Sequence, residues 1–311
     1  MVERMTAGMD KVPVTRRQIL HVFSALAAST LLQSVDTSTA FGKEAGSHPG
    51  IRFGAQTNAW AIDPRRFDSF LAVLDQVRQI GYSGFETGFV NVMDQFGSPK
   101  EARQQIEKTG LTFFGMHIFL PPERYDASTR IPPPTLYKRL APGAVSLGAR
   151  HLIFSSLPVQ SAGELKNKIA GLNAAGRYCK SLGLPLAYHN EKAQEFRSKW
   201  KEMEALYDQT DPEFVSFLLD CGHAYEGGAD IPAFLRKYHQ RIVGLHLRDY
   251  RNGSQVPLGQ GTFPLAEVAA TLKHLRWKGW VLNEEERLSG AKYGMKVMGP
   301  AFQAIQGAFS A

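Results

Sequence analysis

The sequence is poor in cysteine, and it has neither a run of basic residues nor a long uninterrupted apolar stretch. Two cysteines in 311 residues, Cys179 and Cys221, cannot build a disulfide framework. The net charge of +7 comes from 36 Lys and Arg against 29 Asp and Glu scattered along the chain, which argues against a nucleic-acid-binding footprint. With 43% hydrophobic and 21% charged residues, the composition is that of a globular protein with a sizeable core and excludes disordered, collagenous and coiled-coil chains.

The first forty residues differ from the rest and predict a targeting signal. A polar lead and the pair Arg16-Arg17 precede a mostly apolar stretch at 21–32, and small residues follow at 38–40. The apolar stretch is shorter than the roughly 20 residues that span a bilayer, and the order is that of a cleavable signal. The paired arginines resemble a twin-arginine signal. We therefore expect residues 1–40 to direct the protein to the periplasm without a stable membrane anchor, the alternatives being an amphipathic helix or an uncleaved anchor.

From residue 51 onward, short apolar runs alternate with amphipathic stretches, which predicts strands alternating with helices. The predicted strands are residues 52–58, 81–86, 111–119, 151–154, 184–189, 215–219, 242–247 and 280–282. The predicted helices are residues 64–80, 100–108, 135–147, 163–182, 198–207, 231–238, 265–275 and 295–309. Eight strand–helix units favour an α/β fold, a (β/α)8 TIM barrel that forms one catalytic domain over 41–311. The main alternative, an open dinucleotide-binding sheet, is disfavoured because no Gly-x-Gly-x-x-Gly fingerprint follows the first predicted strand.

Polar residues gather where the predicted strands end, which is the catalytic face of such a barrel. Four of the nine histidines lie at the ends of strands three, five, six and seven. The residues at the strand ends are Glu86, His117, Ser155, Ser156, His189, Asn190, Glu191, Asp220, His223, His246, Asp249, Glu284, Glu285 and Glu286. A single histidine at a strand end is more often a satisfied polar residue, but four together indicate a functional site.

Strands five to eight each supply one donor for a divalent metal. The predicted ligands are His189, Asp220, His246 and Glu284. Two imidazole nitrogens and two carboxylate oxygens suit manganese, cobalt, iron or zinc better than calcium. Asp249 is expected either to orient His246 or to bind Arg248 or Arg251.

Five short motifs occur in order on successive strands of the predicted barrel. They are Tyr-His-Asn-Glu at 188–191, Asp-Cys-Gly-His at 220–223, His-Leu-Arg-Asp at 246–249, Leu-Gly-Gln-Gly at 258–261, and Glu284. Each is weak alone, but in this order they resemble the xylose-isomerase-like TIM-barrel superfamily along the whole mature chain. That superfamily includes sugar and sugar-phosphate isomerases and epimerases, inosose dehydratase and endonuclease IV.

The resemblance implies a metal held by Glu, Asp, His and Glu from strands five to eight, with the two glutamates moving the substrate's protons. Asp220, His246 and Glu284 match that pattern, but His189 stands in place of the first glutamate. A metal-bound neutral histidine has no free carboxylate oxygen to take a proton. Epimerisation by two carboxylates would therefore need Glu191 or Glu195 as a substitute.

The function expected from the resemblance is that of a metal-dependent carbohydrate isomerase or epimerase. It would abstract a proton next to a carbonyl of a non-phosphorylated sugar or keto-sugar, since sugar phosphates are mainly cytoplasmic. The candidate bases are Glu284, Glu86 and Glu195. The candidate substrate-binding residues are His117, His223, Arg248 and Glu191. The sequence leaves the oligomeric state open.

Three alternatives stay open at this stage. The Tyr-His-Asn variant at strand five is similar to exported members that act on 3-keto-glycosides by elimination or hydration. An abasic-site nuclease would need a three-metal cluster, but Glu86 replaces its strand-two histidine and its Asp-x-His pair is missing from 250–263. A barrel that binds sugar without catalysis is the third alternative, because a fold does not guarantee activity.

Overall fold

A computed structural model describes residues 50–286 and 294–311. The predicted signal at residues 1–40 lies outside this described part of the chain. Among the described helices, none combines the length and the apolar character that crossing a bilayer requires.

Eight parallel strands close into a barrel, which confirms the predicted (β/α)8 fold. The barrel strands are β1 (Ile51–Gln56), β2 (Gly84–Gly88), β3 (Thr112–Ile118), β4 (Leu152–Phe154), β5 (Leu186–His189), β6 (Val215–Asp220), β7 (Ile242–Leu247) and β10 (Gly279–Asn283). They are hydrogen-bonded in the order β1-β10-β7-β6-β5-β4-β3-β2, so the first strand pairs with the last. Because all strands are parallel, their carboxyl ends meet at one end of the barrel.

Helices surround this barrel in the sequence order that the periodicity predicts. They are α1 (Phe67–Ile80), α2 (Pro99–Lys108), α3 (Pro134–Ser146), α4 (Ala162–Ser181), α5 (Ala193–Phe196), α6 (Glu202–Gln209), α7 (Cys221–Glu226), α8 (Ile231–Tyr238), α9 (Leu265–His274) and α10 (Met295–Ser310). The short helix α5 begins four residues after the end of β5 and α7 begins at the residue after β6, and neither helix was predicted. Both begin within four residues of a predicted metal ligand, so they shape the catalytic end.

Apolar side chains fill the barrel below the polar end. One buried cluster consists of Phe114, Ile153, Ala187, Leu218, Trp280 and Leu282. Gly84 makes room for this packing, because a Cβ atom there would lie 2.5 Å from the Trp280 ring. The barrel is therefore a packed core, and side chains at its carboxyl end rest on a rigid base.

The structure differs locally from the predicted elements, and the helix predicted from residue 198 begins at Glu202. Helix α1 begins at Phe67 and not at Pro64, because Asp63 Oδ1 accepts a hydrogen bond from the Arg65 amide (3.0 Å) and closes a turn there. After β7 the chain forms an antiparallel hairpin of β8 (Asp249–Arg251) and β9 (Ser254–Val256) that the sequence analysis missed. This hairpin lies directly after the His246 strand and bears on the site.

Candidate metal centre

The four predicted metal ligands converge at the carboxyl end of four adjacent strands. His189 ends β5, Asp220 ends β6, His246 lies in β7, and Glu284 follows β10. One ligand atom from each of the four lies within 4.8 Å of all the others. All four residues are buried, as they must be if the centre is shielded from bulk water.

The chemistry of this group fits a divalent cation. Two imidazole nitrogens and two carboxylate oxygens are a donor set for manganese, cobalt, iron or zinc. The Oε2 atom of Glu284 is buried without a hydrogen bond of satisfactory geometry, although it has close contacts with His246 Nδ1 and Arg248 Nη2. A cation shared among these four side chains would satisfy that oxygen.

Each histidine of the group turns its other ring nitrogen toward a carboxylate. His246 Nε2 lies 2.7 Å from Glu86 Oε2. His189 Nδ1 lies 3.4 Å from Ser155 Oγ and 3.5 Å from Glu191 Oε2. Outer contacts of this kind fix the orientation of metal-ligating imidazoles and raise their basicity. The arrangement therefore presents His189 Nε2 and His246 Nδ1 to the group, 3.0 Å apart.

Arg248, a predicted substrate-binding residue, is placed among the ligands. Its Nε atom donates to Asp220 Oδ2 (2.6 Å), and its Nη2 atom lies 2.7 Å from Glu284 Oε2. Burial would raise the pKa of Asp220, but the Arg248 guanidinium holds it well below its usual range. The side chain is 1% exposed, so it anchors the two carboxylates instead of reaching freely for a substrate hydroxyl.

Glu86, a predicted base, is held by two histidines. Its Oε1 atom lies 2.7 Å from His117 Nδ1, and its Oε2 atom is the partner of His246 described above. Burial would raise the pKa of Glu86, but His246 and His117 bring it down to about 2. With both oxygens engaged, the placement favours an orienting role over proton abstraction.

A chain of hydrogen bonds continues from His117 to the rim. His117 Nε2 lies 2.7 Å from Ser155 Oγ, which donates to Glu191 Oε2 (2.7 Å). Single ligand atoms of His117, His189 and Glu191 also lie within 4.8 Å of one another. The predicted substrate-binding residues His117 and Glu191 are thus brought to the site, and Ser155 joins them.

Glu195, the third predicted base, does not join the group. Its Oε1 atom accepts hydrogen bonds from the Glu191 and Lys192 amides (2.8 and 3.0 Å), and its Oε2 atom accepts one from the Tyr188 hydroxyl. The reason is that the chain turns into α5 after β5, so the carboxylate caps the helix start instead of facing the ligands. This placement contradicts its use as a base in the centre.

His223 lies at the edge of the centre, in the first turn of α7. Its amide donates to Asp220 Oδ1 (2.8 Å), and its Nδ1 atom lies 3.2 Å from the Tyr250 hydroxyl. The Nε2 atom is 3.9 Å from Asp220 Oδ2. Its side chain is 13% exposed, so it remains available for the predicted substrate contact.

Asn58, which the sequence analysis did not single out, supports the centre, and Asp249 has a different role from the predicted one. Asn58, just beyond β1, donates through Nδ2 to Glu284 Oε1 (3.1 Å). Asp249 accepts amide hydrogen bonds at Oδ1 from Phe263 (2.9 Å) and at Oδ2 from Gly259 and Gly261 (3.0 and 2.8 Å). Asp249 therefore anchors the loop 259–263, and the prediction that it orients His246 or binds an arginine was wrong. The glycines at 259 and 261 were the available signal.

Comparisons with known proteins agree with this fold. A family model described as xylose isomerase-like TIM barrel matches residues 74–301. Inosose dehydratase 2 of Bacillus cereus is 30% identical over 154 residues, which cover 43% of this chain and 51% of that protein. The chain thus matches about half the length of this curated relative.

Solved structures show the same fold at low sequence identity. A sugar phosphate isomerase/epimerase from Parabacteroides distasonis has a TM-score of 0.66 at 19% identity, covering 87% of this chain and 98% of that one. A structure of L-ribulose 3-epimerase has a TM-score of 0.69 at 15% identity, covering 84% and 95%.

Proposed function

Since the chain belongs to the xylose isomerase-like TIM barrel family, we propose that it is a metal-dependent carbohydrate isomerase or epimerase. Its substrate would be a non-phosphorylated sugar or keto-sugar. The observation that carries the proposal is the convergence of His189, Asp220, His246 and Glu284 within 4.8 Å of one another. The names of relatives support the substrate class, because they include an inosose dehydratase and an L-ribulose 3-epimerase.

The reaction proposed is removal of a proton from the carbon next to a carbonyl. A metal ion bound by the four ligands would polarise that carbonyl as a Lewis acid. Of the three candidate bases, Glu284 remains in a suitable position, because Glu86 is held by two histidines and Glu195 by a helix start. The Oε1 atom of Glu284 accepts a hydrogen bond from the neutral donor Asn58 Nδ2. We assign removal of the substrate proton to this oxygen.

A second candidate is elimination of water from a keto-sugar. Epimerisation by two carboxylates needs a base on each face of the substrate, but β5 presents His189 where a second glutamate would stand. Elimination needs one base and a leaving hydroxyl, which a single carboxylate oxygen such as Glu284 Oε1 can serve. The identity to inosose dehydratases favours this reaction over two-base epimerisation.

Deuterium exchange distinguishes these reactions in one experiment. The protein, loaded separately with manganese, cobalt and zinc, is incubated in D2O with an inosose and with 3-keto-glucose, and the products are followed by NMR. Isomerisation or epimerisation gives a deuterated isomer, whereas elimination gives a product that has lost water. We expect Glu284→Gln to abolish both reactions and the exposed control Glu267→Gln to retain them. No exchange with any metal would favour a sugar-binding barrel.

The cellular location proposed for this enzyme is the periplasm. The support is the order of charged, apolar and small residues in 1–40, including Arg16-Arg17. Fractionation of cells that express the full chain, compared with Arg16→Lys/Arg17→Lys, tests it. We expect mature wild-type protein in the periplasmic fraction and no variant protein there.

A further inference from the structure

A buried lysine lies behind the loops that follow β4 and β5. Lys168 of α4 is fully buried, and its Nζ atom donates to the Leu157 carbonyl oxygen (3.0 Å) and to Glu202 Oε1 (2.5 Å). The same Nζ atom is 3.8 Å from Glu195 Oε2. A buried ammonium group is costly unless it is paired and hydrogen-bonded, and here two carboxylates and a carbonyl meet it.

The two carboxylates that face this ammonium group also accept hydrogen bonds from backbone amides. Glu202 Oε2 accepts a hydrogen bond from the Val159 amide (3.0 Å). Glu195 Oε1 accepts those of Glu191 and Lys192. One cation therefore ties together two loops, 155–159 and 190–192, that are separate in sequence.

Both loops carry side chains that face the ring of His189. Ser155 and Glu191 are hydrogen-bonded to each other, and both approach Nδ1 of that ring. The hydrogen bond that one ring nitrogen makes decides which nitrogen is free to bind a metal. The position of these two side chains thus leaves His189 Nε2 facing the centre.

We propose that Lys168 is a positioning residue that fixes Glu191, and through it the ring of His189. It contacts none of the four metal ligands itself and acts through Glu195, Glu202 and the two loops. The inference rests on the proposed function, because it takes His189 as a metal ligand. Removing the ammonium group leaves the buried carboxylates of Glu195 and Glu202 without their shared cation. We expect these two side chains to move apart and to shift the backbone amides that donate to them.

The test compares Lys168→Met with a matched control, Arg241→Met. Arg241 also ties backbone groups, donating to the Tyr207 and Val215 carbonyl oxygens (2.5 and 2.9 Å), but at the amino end of β6. Two quantities are measured: the dissociation constant for Co²⁺, and the hydrogen-exchange rates of the Glu191 and Lys192 amides. In Lys168→Met we expect Co²⁺ binding to weaken about tenfold or more, the usual effect of losing an orienting partner, and both amides to exchange faster. Arg241→Met is expected to change neither quantity.

Glu195→Gln is the second variant if Lys168→Met fails to fold, because it keeps the side-chain volume and replaces the carboxyl group beside Lys168 by an amide. Wild-type Co²⁺ affinity in either folded variant overturns the proposal, and so does equal weakening in Arg241→Met. If the wild type itself binds no Co²⁺, the proposed function fails. The exchange rates of the two amides then decide whether Lys168 orders Glu191, and unchanged rates overturn the inference.

Discussion

The Nε2 atom of His189 lies 3.0 Å from the Nδ1 atom of His246, and both rings are buried. Oxygens of Asp220 and Glu284 lie 3.6 and 3.9 Å from His189 Nε2. Two ring nitrogens that face each other share at most one proton between them. A divalent cation, in contrast, could be held by both nitrogens and both carboxylates, which is why this pair of rings indicates a metal centre.

The first prediction concerns metal content. Freshly purified wild-type protein is expected to contain about one equivalent of a transition metal, and His246→Ala/Glu284→Ala to contain almost none, because half of the donor set is removed. His151→Gln is the control, since His151 is bonded to the Phe114 carbonyl oxygen (3.0 Å) outside the centre. Elemental analysis measures all three proteins. Equal metal in wild type and double variant would contradict the assignment of the ligands.

The second prediction concerns Glu86 as the partner of His246. Replacing Glu86 by Gln removes the charge beside His246 Nε2 and lowers the basicity of the ring. We expect the affinity for Co²⁺ to fall about tenfold, the lower end of the usual effect of such partners. A competitive chelator titration measures it, with the exposed Glu107→Gln as the control. Unchanged affinity would mean that Glu86 has another role, and its use as a base would then be tested by turnover.

The third prediction concerns pH and Glu195 in metal-free protein. Burial raises the pKa of Glu195 from 4.5 to about 7. Between these values the folded protein keeps a proton that the unfolded chain has released, so its contribution to the free energy of unfolding declines as pH rises. Glu195→Gln is expected to lack this part of the decline. Urea unfolding at pH 4.5, 6 and 7.5 checks it, and parallel curves for both proteins would refute it.

The corresponding effect of Glu285 is the same in both proteins. Burial raises the pKa of Glu285 to about 7 as well, so Glu285 adds a contribution of the same sign to both proteins. Subtracting the two unfolding curves isolates the contribution of Glu195.

The fourth prediction concerns the loop that Asp249 anchors. A Cβ atom at Gly261 would overlap Asp249 Oδ1 and the Tyr250 carbonyl oxygen, so Gly261→Ala must displace the loop. We expect a loss of about 1–3 kcal/mol in the free energy of unfolding, typical of overpacking. The control is Gly299→Ala in α10, where a Cβ atom meets no neighbour within 4 Å. It should be neutral or stabilising, since alanine favours helices. Equal effects in both variants would contradict the conclusion that Asp249 anchors the loop 259–263.

The barrel and the convergence of the four ligands were predictable from sequence. Alternating apolar runs gave the strand order, and parallel strands bring their carboxyl ends together whatever the loops do. His189, Asp220 and His246 each lie at or just before the end of such a strand, so their proximity followed from topology alone.

The roles of neighbouring residues were not predictable in the same way. Glu191 and Glu195 both follow β5 closely, but the turn into α5 sends one toward His189 and the other toward Lys168. The contact between Asn58 and Glu284 joins the first and last barrel strands, and a single sequence holds no sign of it. Asp249 was misassigned because its partners are backbone amides, and the glycines at 259 and 261 are the only sign of them in the sequence.

The pairing of β1 with β10 also has a consequence for synthesis of the protein. Synthesis delivers Ile51–Gln56 before Gly279–Asn283, so a sheet that forms before β10 is complete would have two unpaired edges. Such edges invite aggregation, and contacts between distant segments form slowly. We expect the nascent protein to depend on chaperones until its last strand emerges.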